Sequence, residues 1–192
     1  DAPKPEQKVQ SLPRREDMPA DVDSCAVYFA GDGSVGIAWA EGVCALTPME
    51  AQMGQLSLAG KNLIFHDSKA AMHRLDELGI QAGECVFDTA LAAYLCDATA
   101  GSYDIPKLFL SFYNEELPKP AHLEPEAFTS LLGDDTAAQT ALISYTSAVS
   151  ALHGTLAAKL EALDVTRLYY EVELPLCRVL AEMETAGFLV DR

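Results

Sequence analysis

From Ser24 onward, short apolar runs alternate with turn-forming residues. Cys25 to Ala30, Val35 to Trp39 and Val43 to Leu46 read as β-strands, separated by Gly31-Asp32-Gly33 and by Glu41-Gly42, each able to close a hairpin. An antiparallel three-stranded meander is predicted. Leu63 to Phe65 is a fourth apolar run, too short for a helix. It leads into His66-Asp67-Ser68 and a helical pattern of Ala70, Ala71, Leu75 and Leu78 closed by Gly79. Cys85-Val86-Phe87 repeats the arrangement, with Asp88 as the natural N-cap of a helix from Thr89 to Leu95.

A third helix is predicted from Asp104 to Tyr113. Beyond a Pro-containing loop between Pro118 and Asp135, the run from Thr136 to Leu163 places Leu142, Tyr145, Val149, Leu152, Leu156, Leu160 and Leu163 three or four residues apart, one apolar stripe on a long helix. Val165 to Gly187 is also helix-periodic, although Pro175 lacks an amide hydrogen and should kink or restart it. Strands first, then strand–helix alternation, define an α/β or α+β layered domain. Residues 1–23, with Pro3, Pro5, Pro13 and Pro19 among charged residues, can bury little apolar surface and are expected to form a linker or arm. Both ends read as cut: Phe188-Leu189-Val190-Asp191-Arg192 begins like a strand that has no partner.

Composition narrows the function. Of 192 residues, 49% are hydrophobic and 22% charged, as in an ordinary globular domain, but 29 acidic residues against 13 Lys and Arg leave a formal charge of −16. That field repels a phosphate backbone, so weak or no nucleic-acid binding is expected of this chain alone. The densest basic stretch, Lys4 to Arg15, lies in the arm. Cys25, Cys44, Cys85, Cys96 and Cys177 are widely spaced and form no CxxC pair, so they read as free thiols in a reducing cytoplasm. No apolar run approaches the ~20 residues of a membrane span. His66, His73, His122 and His153 are scattered, and no GxSxG elbow or glycine-rich phosphate cradle is present.

Three stretches, in order, resemble the family-A bacterial DNA polymerases (the DNA polymerase I family). Lys61-Asn62-Leu63-Ile64-Phe65-His66-Asp67, followed by a helix and Gly79-Ile80, is similar to the segment carrying the second exonuclease motif. Phe87-Asp88-Thr89-Ala90-Leu91-Ala92-Ala93-Tyr94-Leu95 is close to the family's FDTxLAAYLL stretch. Glu171-Val172-Glu173-Leu174-Pro175-Leu176, then Val179 to Glu184, then Gly187 with Val190-Asp191, looks like the junction where the polymerase domain begins. The resemblance implies an RNase-H-like, DnaQ-type exonuclease fold, a mixed sheet with flanking helices, with an arm at 1–23, the exonuclease-like domain at 24–166 and the start of a polymerase domain at 167–192.

It also implies a test of chemistry. Active members hydrolyse the terminal phosphodiester with two metal ions about 4 Å apart, held by converging carboxylates. The family supplies these from an Asp-x-Glu on the first strand, an Asp in the second motif and a Tyr-x-x-x-Asp on a late helix. Here the first strand holds no carboxylate, Asp32 sits in a turn, and Tyr145 is followed four residues later by Val149 instead of an acid. Asp67 stands where the second-motif aspartate would be, but it reads as the N-cap of its helix rather than as a metal ligand. Asp88 mimics the start of the first motif without the second acid.

Asp67 and Tyr145 are thus remnants, with the carboxylate at Val149 lost and no metal or cofactor expected in this chain. The expectation is a vestigial 3′-to-5′ exonuclease domain, a scaffold for the polymerase domain of the same chain. The parent would be a nucleotidyltransferase that uses magnesium, contacts DNA and works in replication and repair in the cytoplasm. Two alternatives stand beside it: an active proofreading exonuclease with a displaced metal site that uses Asp67 with Asp32 or another nearby acid, and an acidic protein-interaction module.

Overall fold

The computed structural model describes residues 12–119 and 135–187. The loop read between Pro118 and Asp135, apart from its ends, His122, Lys4 and the strand-like Phe188 to Arg192 lie outside the described residues.

Strands β1 (Ser24–Phe29), β2 (Val35–Trp39) and β3 (Gly42–Leu46) form the predicted meander. Ala26 faces Ala38 across β1 and β2, and Ile37 faces Cys44 across β2 and β3. The first hairpin closes through hydrogen bonds from Ala30 N to Ser34 O (2.8 Å) and from Gly33 N to Ala30 O (3.0 Å). Strands β4 (Leu58–Phe65) and β5 (Ala82–Asp88) then add in parallel, giving a five-stranded mixed sheet in the order β3-β2-β1-β4-β5. Both parallel strands extend well before the apolar runs that announced them. Backbone pairing needs no apolar side chain, and Asn62 pairs with Glu84 as readily as Leu63 with Cys85. The register shifts between Leu58 and Asn62, and there a Cβ on Gly83 would stand 2.0 Å from the Lys61 carbonyl oxygen, so only glycine fits.

Side chains alternate across the sheet and both faces are covered. Ala26, Ala38, Val43, Ile64 and Phe87 pack beneath the long helix α4 (Asp135–Ala162), with α2 (Thr89–Cys96) and α3 (Ile105–Tyr113) in the same layer. Cys25, Val27, Ile37, Leu63 and Phe65 face the other way, towards Ala71 and Leu75 of α1 (Ser68–Leu78). The stripe on α4 is buried from Leu142 to Leu160 as its spacing predicts. Leu163 is not: the helix stops at Ala162, Asp164 turns left-handed (φ 57°), and Leu163 is left exposed. On β2, Gly36 allows α4 to approach, since a Cβ there would meet the Thr146 hydroxyl at 1.9 Å.

Two segments differ from the sequence reading. The described part of the arm is seated on the domain: Arg15 N donates to Val43 O (2.8 Å), Val43 N donates to Pro13 O (3.0 Å), and Met18 and Val22 join the second core. Buried Lys61 secures it by donating to the carbonyls of Ala20 (3.1 Å) and Val22 (2.5 Å). An ammonium largely shielded from water needs acceptors, and the arm's backbone provides them. At the other end, Tyr169, which the reading put outside the exonuclease-like domain, is fully buried in the first core. It opens a π-helical turn (Tyr169–Glu173) that runs into helix α5 (Leu174–Ala186), with Pro175 in the first turn of α5. α5 lies against α1, where Glu184 takes hydrogen bonds from Lys69 (2.9 Å) and His73 (3.1 Å).

Candidate functional site

Each parallel strand of the sheet's later half ends at an aspartate that starts a helix. At the end of β4, Asp67 adopts the left-handed conformation (φ 61°, ψ 74°) and its side chain accepts from Ala70 N at 3.1 Å, capping α1. It is exposed. At the end of β5, Asp88 is extended (φ −124°, ψ 113°) and buried, and its carboxylate accepts four backbone hydrogens. Oδ1 takes Ala90 N (2.9 Å) and Leu91 N (3.1 Å) of its own helix α2. Oδ1 also takes Asp67 N (3.2 Å), and Oδ2 takes Ser68 N (2.7 Å), so the same group caps α1. Two positive helix termini converge on one anion, which is why a buried carboxylate is tolerated.

His66 joins the two junctions, its Nδ1 standing 2.8 Å from Thr89 Oγ1. Burial pulls its pKa below the ordinary value, only partly opposed by the carboxylates of Asp88, Asp67 and Asp104. A shallow cleft beside this corner is lined by Tyr28, Phe29, Gly31, His66, Asp67 and Arg74. Its one cation is already engaged: Arg74 donates to Glu77 (2.9 Å) and to the Gly31 carbonyl (3.4 Å).

The remaining sequence-picked positions do not gather around Asp67 as ligands. Tyr145 is buried, its ring 5.6 Å from that of Tyr28, and its hydroxyl donates to Pro118 O at 3.0 Å. Val149 is fully buried in the core beneath α4. Asp32 is consumed by its own turn, accepting from Ser34 N (2.8 Å) and Ser34 Oγ (2.7 Å). Among the described residues no group of three or more His, Cys, Asp or Glu side chains is placed to hold a metal ion. The donor set does not fit a two-metal centre: hard divalent cations need several converging oxygens, and here one position is valine, one aspartate closes a hairpin turn, and two cap helices.

His153 packs edge-on against Phe87 (4.6 Å) and His73 pairs with Glu184, so neither faces a nucleophile. All five cysteines are free, with Cys25 and Cys44 buried; burial pushes the Cys25 and Cys85 thiols up to about 12 and Cys44 to about 11. No described helix is long and apolar enough to cross a membrane. Sequence reasoning named Asp88 as a cap for its own helix and missed its second role. It also missed Tyr169, whose only signal was an aromatic residue in a helical register otherwise assigned to the next domain.

A mixed sheet ordered β3-β2-β1-β4-β5, antiparallel then parallel and sandwiched by helices, is the RNase-H-like, DnaQ-type exonuclease fold. NrnC of Brucella melitensis bound to pGG superposes with a TM-score of 0.70 over 92% of this chain and 95% of that one, at 14% identity, a likeness of fold. No family model matches the chain. Over most of its length, however, the chain is a homologue of bacterial DNA polymerase I. It is 37% identical over 150 residues to the DNA polymerase I of Mycobacterium tuberculosis, covering 76% of this chain and 16% of that protein. The POL domain of Pol1 from M. smegmatis, in complex with DNA primer-template and dNTP, superposes at a TM-score of 0.66 with 29% identity, over 87% of this chain and 29% of that one. The chain therefore spans about a sixth of the length of such relatives.

Proposed function

We propose that this chain is a catalytically vestigial 3′-to-5′ exonuclease domain, serving as a structural scaffold within a cytoplasmic, magnesium-dependent DNA polymerase I. The observation that carries the reading is Val149. One helical turn after the buried Tyr145, at the position where the family places a carboxylate ligand, stands a fully buried aliphatic side chain that is part of the core. An anion there would have to be desolvated at a cost the fold does not offset.

The scaffold role is supported by the outer side of α5 and the turn before it, where Val172, Leu176, Val179, Leu180 and Met183 are all exposed. An apolar set of this size is the expected seat of another part of the polymerase. The net charge of −16 supports weak DNA contact by the domain itself.

The test is a gel assay on a 3′-terminated single-stranded oligonucleotide with magnesium or manganese, comparing this chain with its Asp67→Ala variant. The expected result is no metal-dependent shortening above that control. Shortening that is abolished by Asp67→Ala would overturn the reading in favour of a displaced active site.

A further inference from the structure

β5 is an edge strand, and in a parallel pair the N–H and C=O of one residue point to the same side. Those of Asp88, aimed away from β4, would need a further strand. None is there among the described residues. Instead the hydroxyl of Tyr169 fills the role of the missing strand, accepting from Asp88 N at 2.6 Å and donating to Asp88 O at 3.1 Å. The ring is fully buried, 5.0 Å from Phe87 and 4.8 Å from Tyr170, and burial raises its pKa, so the hydroxyl keeps the proton it donates.

We infer that Tyr169 is a positioning residue: a pin that locks the start of α5 to the end of β5, and through the Asp88 carboxylate to the first turns of α1 and α2. Backbone and side chain of one aspartate thus tie together a strand, two helices and the turn that launches a third. The opposite end of α5 rests on α1 through the buried Ala181 and one cluster of ion pairs. Glu184 meets Lys69 and His73 on α1 at a solvated surface, where ion pairs contribute little. The direction of α5, and with it the direction of its exposed apolar face, is set by the pin at its N-terminal end. This holds whether or not the domain retains any hydrolysis, and its test reads no nuclease activity.

Tyr169→Phe keeps the ring and removes the hydroxyl, and with it both of its hydrogen bonds to the Asp88 backbone. Hydrogen exchange read by mass spectrometry should show the amides of Leu176 to Thr185 exchanging roughly tenfold faster, as loss of a buried hydrogen-bonded group implies, while those in the middle of α4 stay unchanged. Glu184→Gln should change α5 exchange far less. An unchanged α5 in Tyr169→Phe, with faster exchange confined to Asp88 and its neighbours, would reduce the hydroxyl to a local strand-end cap and overturn the pin. If Tyr169→Phe does not fold, the native chain in rising sub-denaturing urea decides. The pin requires the Asp88 amide and the α5 amides to open together, and α5 opening while Asp88 stays protected would refute it.

Discussion

The two strand-to-helix junctions of the parallel half, at Asp67 and Asp88, look alike in sequence and differ in physics. Each is an apolar strand ending in an aspartate followed by a helix. Asp67 is exposed, left-handed and accepts one intrahelical amide; Asp88 is buried, relaxed and accepts four amides from two helices. The residue at the place the family uses for metal chemistry is the lightly engaged one. The residue whose motif is merely structural has become the organising anion of the corner. Position along a motif therefore says little about which carboxylate a fold depends on; the number of hydrogen bonds made out of water says more.

The largest effect expected from this contrast is at Asp88. Asp88→Ala strands four backbone donors, two of them on another helix, and should lower the free energy of unfolding by about 3 kcal/mol or more, read from urea titration. Asp88→Asn offers a sharper version. The amide NH2 cannot accept: in the place of Oδ2 it loses only the bond from Ser68 N, while the remaining oxygen keeps those from Asp67, Ala90 and Leu91 N, so an intermediate loss is expected. A loss below about 1 kcal/mol in Asp88→Ala would put the two junctions on the same footing and break the comparison.

A smaller effect is expected at His66, which bridges the junctions. Its folded pKa lies below the ordinary 6.5 because burial disfavours the cation. The unfolded chain therefore binds the proton more readily. The stability this contributes is fully present above pH 6.5 and is lost as the pH falls from there towards the lowered folded value, by at most about 1.4 kcal/mol per pH unit. His153 is lowered by burial too and adds a slope of the same sign. His66→Gln should flatten the fall between pH 7 and 5.5 in thermal unfolding; an unchanged slope would mean that the junction does not feel the proton.

The fold was legible in sequence to the extent that its signals are local. Gly31-Asp32-Gly33 and Glu41-Gly42 mark the hairpins, the stripe from Leu142 to Leu160 marks α4, and Gly79 ends α1 in the left-handed conformation. The parallel pairing of β1 with β4, the bulge at Gly83 and the seating of the arm on Lys61 depend on residues far apart in the chain, and no periodicity announces them. The same holds for the site. The absence of acids on the first strand and at Val149 could be read directly, whereas the second role of Asp88 reaches back across 20 residues and the pin at Tyr169 across 81. Sequence motifs placed the corner; tertiary hydrogen bonds decided what it does.

The smallest expected effect is at Asp67, and it separates capping from any residual ligand role. A left-handed conformation costs an ordinary L-residue about 1–2 kcal/mol, less for Asp and Asn, and nothing comparable for Gly. The cap to Ala70 N is worth about 1 kcal/mol, most of which Gly retains through solvent access to the helix end. Asp67→Asn should therefore be nearly neutral and Asp67→Gly close to it, because relief of strain offsets the lost oxygen, while Asp67→Ala loses the cap and keeps the strain, a drop of about 1 kcal/mol. A residue acting only through backbone conformation and capping gives the order Asn, Gly, Ala, identical with and without millimolar magnesium. If magnesium stabilised the native chain and that gain vanished in all three variants, Asp67 would be binding the ion, and the corner would have kept more of its family's chemistry than its hydrogen bonds imply.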